Sequence, residues 1–426
     1  MDFTVSPQEQ QLRQAVATLC THHARQHRPG GCDPAADRLL WEQAGRLGYL
    51  GVNIPTRYGG GGAGVQELAA VCEELAAAGF PLLLTVVSPA ICATLIHHLG
   101  TPAQRDHWLP GFADGTRRMA FAATEPHAGS NLHRLATTAR RNDHGWVLAG
   151  SKTFITGLDH TQSVLVVARS SGRPGSRLRP ALFVVDQDTP GVRYQRLDMT
   201  VHASEHQFDL HLDQVQVPHD ALLGPTDLHL GQLFTGLNPE RILVAAYANG
   251  IARYALARAV EYARHRQVWA TPIGHHQAIS HPLARAHAAV DLARLATSRA
   301  AWLHDTHHPD EPPANGTGHT STHAVAEAAN IAKYTAVEAA LEAVDTAIQT
   351  HGGNGMTDGY GLVRLWTAVR AARIAPVSRE LILDFLADHA LALGGPDRPT
   401  PAPTPSPTHA PGRPTRTRTS SLPPAR

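Results

Sequence analysis

Excess charge of one sign is what this chain most clearly lacks. Thirty-seven Lys and Arg against 36 Asp and Glu leave a formal net charge of +1 over 426 residues. That balance supplies no electrostatic drive toward nucleic acid, so no nucleic-acid partner is expected. Long apolar runs are missing too. No stretch reaches the roughly 20 apolar residues that cross a bilayer, and no membrane partner is expected. The opening MDFTVSPQEQ has no basic segment followed by an apolar core, which argues against a secretory leader. Cysteine is scarce: Cys20, Cys32, Cys72 and Cys92 all fall in the first quarter and form no CxxC pair. Such usage speaks against a disulfide framework or a zinc site and fits reduced thiols in a cytoplasmic protein.

Histidine, by contrast, is abundant. The 28 copies are scattered without HExxH or comparable spacing. Packing and surface histidines account for them better than ligands do, and no metal is expected. With 42% hydrophobic and 17% charged residues, the chain has the composition of a globular protein large enough for two or three domains.

Periodicity divides the chain. Residues 1–118 read mostly as helix, with amphipathic stretches over Gln8 to His23, Asp37 to Gly48 and Val65 to Ala78. The glycine-rich IPTRYGGGGAG at 54–64 lacks the lysine and the strand–loop–helix setting of a phosphate cradle. Residues 119–228 change period: Met119–Ala123, Gly145–Ala149, Val164–Ala168, Ala181–Val185 and Gln207–Val217 are short β-rich runs between turn residues. They predict a compact β-sandwich or barrel. Residues 229–395 return to helix, enough for a four-helix bundle. The remainder, 396–426, holds ten of the 31 prolines, five Arg and a single Asp. It is predicted to be a disordered tail. Without it, 32 basic and 35 acidic residues leave the body at a formal −3.

The stretch from Leu237 to Gln277 organises the third region. Asn238 reads as an N-cap, Pro239 as the first helical residue, and Glu240 as a first-turn acid. The run from Ile242 to Ala263 is apolar on most faces, which predicts a buried central helix. Gly250 within it predicts close packing against another helix. Glu240 and Arg266 lie 26 residues apart, about 39 Å along a helix. If both ends are functional, two sites shared between subunits are the simpler arrangement.

Four segments carry a resemblance. FAATEPHAGSN at 121–131, GWVLAGSKTFIT at 145–156, ARHRQVWATPIGHHQAISHPLA at 263–284 and AIQTHGGNGM at 347–356 resemble, in this order, the signatures of the FAD-dependent acyl-CoA dehydrogenase family. Weaker matches at 54–60 and 99–115 extend the likeness over 1–395. The resemblance implies a mainly α fold: an N-terminal helical domain, a middle β-barrel or sandwich and a C-terminal four-helix bundle. It implies a homo-oligomer, dimer or tetramer, that oxidises an acyl thioester of coenzyme A, the alternative being a dehydrogenase of an acyl or aminoacyl group tethered to a carrier protein. Electrons would pass to an electron-transferring flavoprotein or similar acceptor.

By the same resemblance Phe121, Ala123, Thr124 and Ser130 line the flavin ring and the start of the thioester tunnel, and Phe154 and Thr156 flank the ring. Arg266, Trp269, His276, Gln277, Gln349 and Gly353 hold the pyrophosphate and adenosine, largely from the neighbouring subunit. Ser378 and Glu380 belong to the cofactor set, and Ser130, Asn238 and Arg241 to the substrate set. A solvated helix-end role is the alternative for Arg266.

The catalytic base is where the chain departs from the commoner family pattern. Many members carry a glutamate in an IYEGTSE run, and here the matching residues are Ile374-Ala375-Pro376-Val377-Ser378-Arg379-Glu380. Pro376 has no carboxylate and no backbone N–H. A branch that includes isovaleryl-CoA dehydrogenase and the long-chain enzymes instead uses an E-R pair at the start of the long bundle helix, and Glu240-Arg241 resembles it. Glu240 is therefore the candidate base, the alternative being a residue that merely complements the helix dipole. Further departures are Asn131 for Asp, Ala270 and Val377 for Gly, and Thr367-Ala368 for an R-D pair. A flavin-binding homologue without catalysis is a further alternative.

Overall fold

A computed structural model describes residues 5–172, 174–201, 205–226, 228, 230–306 and 321–393. The expected tail lies outside the described residues, as does most of the polar connector after 306.

The first region is built from capped helices. Ser6 accepts from the Glu9 N–H ahead of α1 (Pro7–His23), and Asp33 caps α2 (Pro34–Arg46). The third, α3 (Val65–Ala77), begins at Gly64 and is capped from a distance. Asp305 carboxylate oxygens accept from the Val65 and Gln66 N–H groups at 2.8 and 2.9 Å. A Cβ on Gly64 would sit 2.2 Å from Asp305 Oδ2, so any side chain there would displace the capping carboxylate. Next comes a continuous buried helical run that hydrophobic periodicity does not reveal, because nearly every face of it is apolar. It comprises α4 (Leu84–Val87), a π-turn over Ser88–Ala93, and α5 (Thr94–Leu99). Then α6 (Pro102–Ala113) closes the region.

The second region is the expected β domain: one hydrogen-bonded sheet that folds over on itself, so that Trp146 and Phe183, on strands three places apart, have ring centroids 5.3 Å apart. Its strands are β1 (Met119–Ala122), β2 (Thr138–Asn142), β3 (Gly145–Thr156), β4 (Ser163–Arg169), β5 (Pro180–Asp186), β6 (Val192–Arg196), β7 (Gln207–Val217) and β8 (Leu222–Leu223). They pair in the order β6-β7-β3-β2-β4-β5-β8, with β1 alongside β4. The runs TARRN and VRYQR escape a hydrophobic pattern because most of their side chains face solvent. Apolar cores form on both faces of the sheet. Trp146, Phe183 and Val215 pack on one, while Leu165 and Leu182 meet Leu95, Ile96 and Leu109 of the helices on the other.

The third region is helical. It comprises α7 (Leu230–His265), α8 (Gln277–Thr306), α9 (Ser321–His351), α10 (Leu362–Ala372) and α11 (Arg379–His389). One expectation fails here. The long helix starts at Leu230, so Asn238 is not its N-cap and Pro239 lies inside it. The buried helix-compatible residues before Pro239 outweigh the one ladder hydrogen bond that proline removes. Gly250 is a packing point: a Cβ there would lie 2.4 Å from the Glu73 carbonyl oxygen of α3. Around that crossing, Glu73 and Glu74 are bound by Arg13, Arg253 and Arg294. This buried cluster joins α1, α3, α7 and α8, and the three guanidinium groups hold the Glu73 carboxyl below its ordinary range despite burial.

Candidate active site

The two sheet motifs meet through a buried ion pair. Lys152 Nζ donates to Glu125 Oε1 at 2.9 Å and to the Ala123 carbonyl at 3.0 Å. The same carboxylate accepts from the Ala136 and Thr137 N–H groups at 2.7 and 2.9 Å. Burial pulls the Lys152 ammonium down to about 8, against the opposing pull of Glu125. The Thr153 N–H donates to the Thr124 carbonyl at 3.0 Å. These bonds fix Thr124, Phe154 and Thr156 on neighbouring segments. Phe154 has a left-handed φ of 57° and is 57% exposed, so a large aromatic face stands free of the protein's own core. Phe121 is half-buried against both helical clusters, Ala123 is half-buried, and Ser130 is exposed.

Glu240 stands on α7. It sits ten residues into α7, so the first-turn dipole role does not apply to it. It is buried, and its Oε2 has no hydrogen-bond partner among the described residues. Burial pushes its carboxyl up to about 8, against the attraction of Arg241 and Lys333. Cys92 of the π-turn connects it to β1: Sγ lies 3.7 Å from the Met119 and Ala120 carbonyls, and the thiol is pushed up by burial and by the Glu240 charge. Asn238 is buried one step before Pro239, with its Oδ1 also lacking a partner among the described residues. Arg241 is buried and donates from Nη1 to Asn330 Oδ1 of α9 at 3.1 Å. Burial lowers its guanidinium to about 10.

Pro376 is exposed between α10 and α11, and the carbonyl of Val377 beside it accepts from Lys333 Nζ. Ser378 caps α11, its Oγ accepting from the Leu381 N–H at 3.3 Å, and Glu380 is exposed in the first turn.

The remaining residues singled out in the sequence gather at the opposite end of α7. Tyr262 stacks on His351, ring centroids 4.4 Å apart, and accepts from Asn354 Nδ2 at 3.1 Å. This contact brings the 347–356 turn, with exposed Gln349 and Gly353, beside exposed Arg266 and Gln277. Trp269 and Ala270 turn the hairpin between β9 (Gln267–Val268) and β10 (Thr271–Pro272), both with positive φ, and Trp269 is 87% exposed. Ala270 thus stands at a left-handed position where glycine is favoured. His276 Nε2 is buried without a partner among the described residues. An exposed indole, an orphaned ring nitrogen, open space around Gly353 and an exposed guanidinium suit a phosphate-and-aromatic ligand.

Sequence reasoning missed Glu125, Lys152, Cys92, Asn330 and Lys333. A signal for two of them was present. Lys152 and Lys333 are the only lysines in the chain, every other basic residue being arginine, and both are buried at 1% exposure.

A helical domain, a β-sheet domain and a helical bundle, with a buried carboxylate whose Oε2 has no partner among the described residues, define an oxidoreductase of the class that acts on CH–CH donors. The chain belongs to the acyl-CoA dehydrogenase family. Its N-terminal domain model matches residues 6–116, its middle domain model 120–215 and its C-terminal domain model 230–391. The chain is 50% identical over 395 residues to acyl-CoA dehydrogenase FadE12 of Mycobacterium tuberculosis, covering 92% of this chain and 98% of that protein. It is 31% identical over 346 residues to the 3-(aryl)acrylate reductase of Clostridium sporogenes, covering 81% and 88%. Among solved structures, butyryl-CoA dehydrogenase from Megasphaera elsdenii matches with a TM-score of 0.79 at 28% identity, over 92% of this chain and all of that one. Among the described residues no helix is long and apolar enough to cross a membrane, and no group of three or more His, Cys, Asp or Glu could hold a metal ion.

Proposed function

We propose that this protein is an FAD-dependent acyl-thioester dehydrogenase whose base is Glu240. The observation that carries the reading is the state of that carboxylate: buried, in the field of two cations, with Oε2 lacking a partner among the described residues. A general base needs an open lone pair and an affinity for protons near the working pH, and burial supplies the second. Glu240 Oε2 takes the α-proton of the thioester. When bound, FAD supplies the acceptor for the β-hydride. Phe121, Ala123, Thr124, Ser130, Phe154 and Thr156 hold the flavin ring, with Ser378 and Glu380 at its far side. Arg266, Trp269, His276, Gln277, Gln349 and Gly353 hold the pyrophosphate and adenosine of a neighbouring subunit's cofactor. Asn238, Arg241 and Ser130 face the substrate. The protein acts as a homo-oligomer, dimer or tetramer, and an electron-transferring flavoprotein or similar acceptor reoxidises it.

Placing the base in an E-R pair aligns this chain with the isovaleryl and long-chain branch. Pro376 favours one second reading, a flavin-binding homologue without catalysis, since it offers neither carboxylate nor N–H to a thioester carbonyl. Anaerobic mixing with a panel of straight- and branched-chain acyl-CoA thioesters separates the two. Bleaching of the flavin band by any of them supports the enzyme, and flavin that never bleaches supports the silent homologue. Protein that takes up no FAD would sink both.

A further inference from the structure

The lysines of this chain mark two places where arginine does not stand. With 37 Lys and Arg in all, 35 are arginine. Lys152 has an evident task, since it neutralises Glu125 between the sheet motifs. Lys333 has no such partner: its Nζ donates to a backbone carbonyl, that of Val377, and no carboxylate of the described residues lies within ion-pair distance of it.

Its position is specific. Asn330 and Lys333 stand three residues apart on α9 and so share a face, and Asn330 holds Arg241. That face lies against Glu240-Arg241, and the Lys333 charge acts on Glu240. Each cation flanking the base is thus engaged by a neutral acceptor, Asn330 Oδ1 for Arg241 and the Val377 carbonyl for Lys333. Neither closes onto Oε2 of the carboxylate. An arginine at 333 would offer a planar fork that reaches carboxylates bidentately and would consume the lone pair the base needs. A compact ammonium held on a carbonyl attracts the carboxylate through space without capping it.

We propose that Lys333 is the positioning residue of the base: its ammonium, held on the Val377 carbonyl, is the counter-charge that favours the carboxylate form of Glu240 while leaving Oε2 open to the substrate's proton. The proposal rests on Glu240 being the base. The charged and titratable groups facing Glu240 are Arg241 on its own helix, Lys333 on α9 and Cys92 on the π-turn. Those facing Lys333 are Glu240, Arg241, Glu338 and Glu380. Burial of Lys333 opposes its charged form, and Glu240 supports it, so each ion of the pair sustains the other.

The test is the pH profile of flavin reduction in the FAD-loaded enzyme, with the fastest-reducing acyl-CoA of the panel as probe. Lys333→Gln keeps a donor for Val377 and removes the charge, and Lys333→Met serves the same end should the glutamine variant be unstable. Either should move the acidic limb of the profile upward by about one pH unit or more, as expected for loss of a neighbouring opposite charge. Lys333→Arg keeps the charge, so its limb should stay at or below that of the wild type. A second readout needs no turnover. The melting-temperature difference between wild type and Glu240→Gln should change with pH, and in the Lys333→Gln background the midpoint of that change should move upward. A limb and a midpoint both unmoved by Lys333→Gln would overturn the proposal, as would equal displacement by Gln and Arg. Glu240→Gln reducing flavin at the wild-type rate would instead refute the base, while the melting cycle still reports whether Lys333 and Glu240 are coupled.

Discussion

Arg241 Nη1 donates to Asn330 Oδ1 at 3.1 Å, across 89 residues of sequence. The contact of Tyr262 with His351 spans the same 89. Helices α7 and α9 therefore run parallel in fixed register, with α8 returning between them: Asn249 meets Thr297, and Arg285 meets Glu342. This register makes the bundle two-ended. One end holds Glu240 with its flanking cations, and the other presents Arg266 beside Gln349 and Gly353. The distance along α7, about 39 Å, separates Glu240 from the exposed set around Arg266.

Removal of the base carboxylate should abolish most of the chemistry and little else. Glu240→Gln is expected to retain flavin and bind thioesters, and to slow flavin reduction by roughly 10²–10⁴-fold. Stopped-flow absorbance of the flavin band checks this. Pro376→Glu in the same background would test rescue from the other family position.

The wild-type profile should itself depend on pH. Since burial raises the Glu240 carboxyl to about 8, reduction should quicken as pH rises toward that value. The stability effect has the opposite sense. A carboxyl raised from 4.5 in the unfolded chain contributes stability that is complete below that value and is lost as pH climbs through about 8. Glu240→Gln should therefore gain melting temperature relative to wild type between pH 5 and pH 9, at about 1 °C per kcal/mol for a chain of this length. A constant difference across that window would contradict the burial argument.

Breaking the sheet pair should be costly. Lys152→Met leaves Glu125 charged and buried, and loss of one partner of such a pair typically costs about 3–5 kcal/mol. The double variant Lys152→Met with Glu125→Leu should recover part of that loss in a denaturant titration, because no lone charge remains. Flavin affinity should not recover with it, since the Ala123 carbonyl loses its Lys152 donor in both.

Arg266→Ala should weaken FAD retention without loss of fold, the residue being exposed at the end of the bundle. If Arg266 serves a neighbouring subunit's cofactor, dilution to the monomer should release FAD from the wild type as well. Sedimentation velocity with absorbance at the flavin band measures both. A monomer that retains its FAD as tightly as the oligomer would contradict the shared site.

Local physics was legible in the sequence where it was decisive. Strand alternation, turn residues and the apolar helix around Gly250 could be read directly, and the family resemblance singled out Thr124, Phe154, Glu240 and Arg266. Two features misled or stayed silent for local reasons. Pro239 looks like a helix start because proline suits a first turn, yet α7 begins at Leu230 and carries Pro239 in its interior. The run from Leu84 to Leu99 hid because nearly every face of it is buried and apolar, which leaves no periodic signal. What only tertiary structure decided is the setting of the base. Arg241 needs Asn330, and Glu240 needs a cation that sits 93 residues further on and is itself held by Val377. A side chain's desolvation and its counter-charges come from whatever packs against it, and no pattern within a single helix encodes that neighbour.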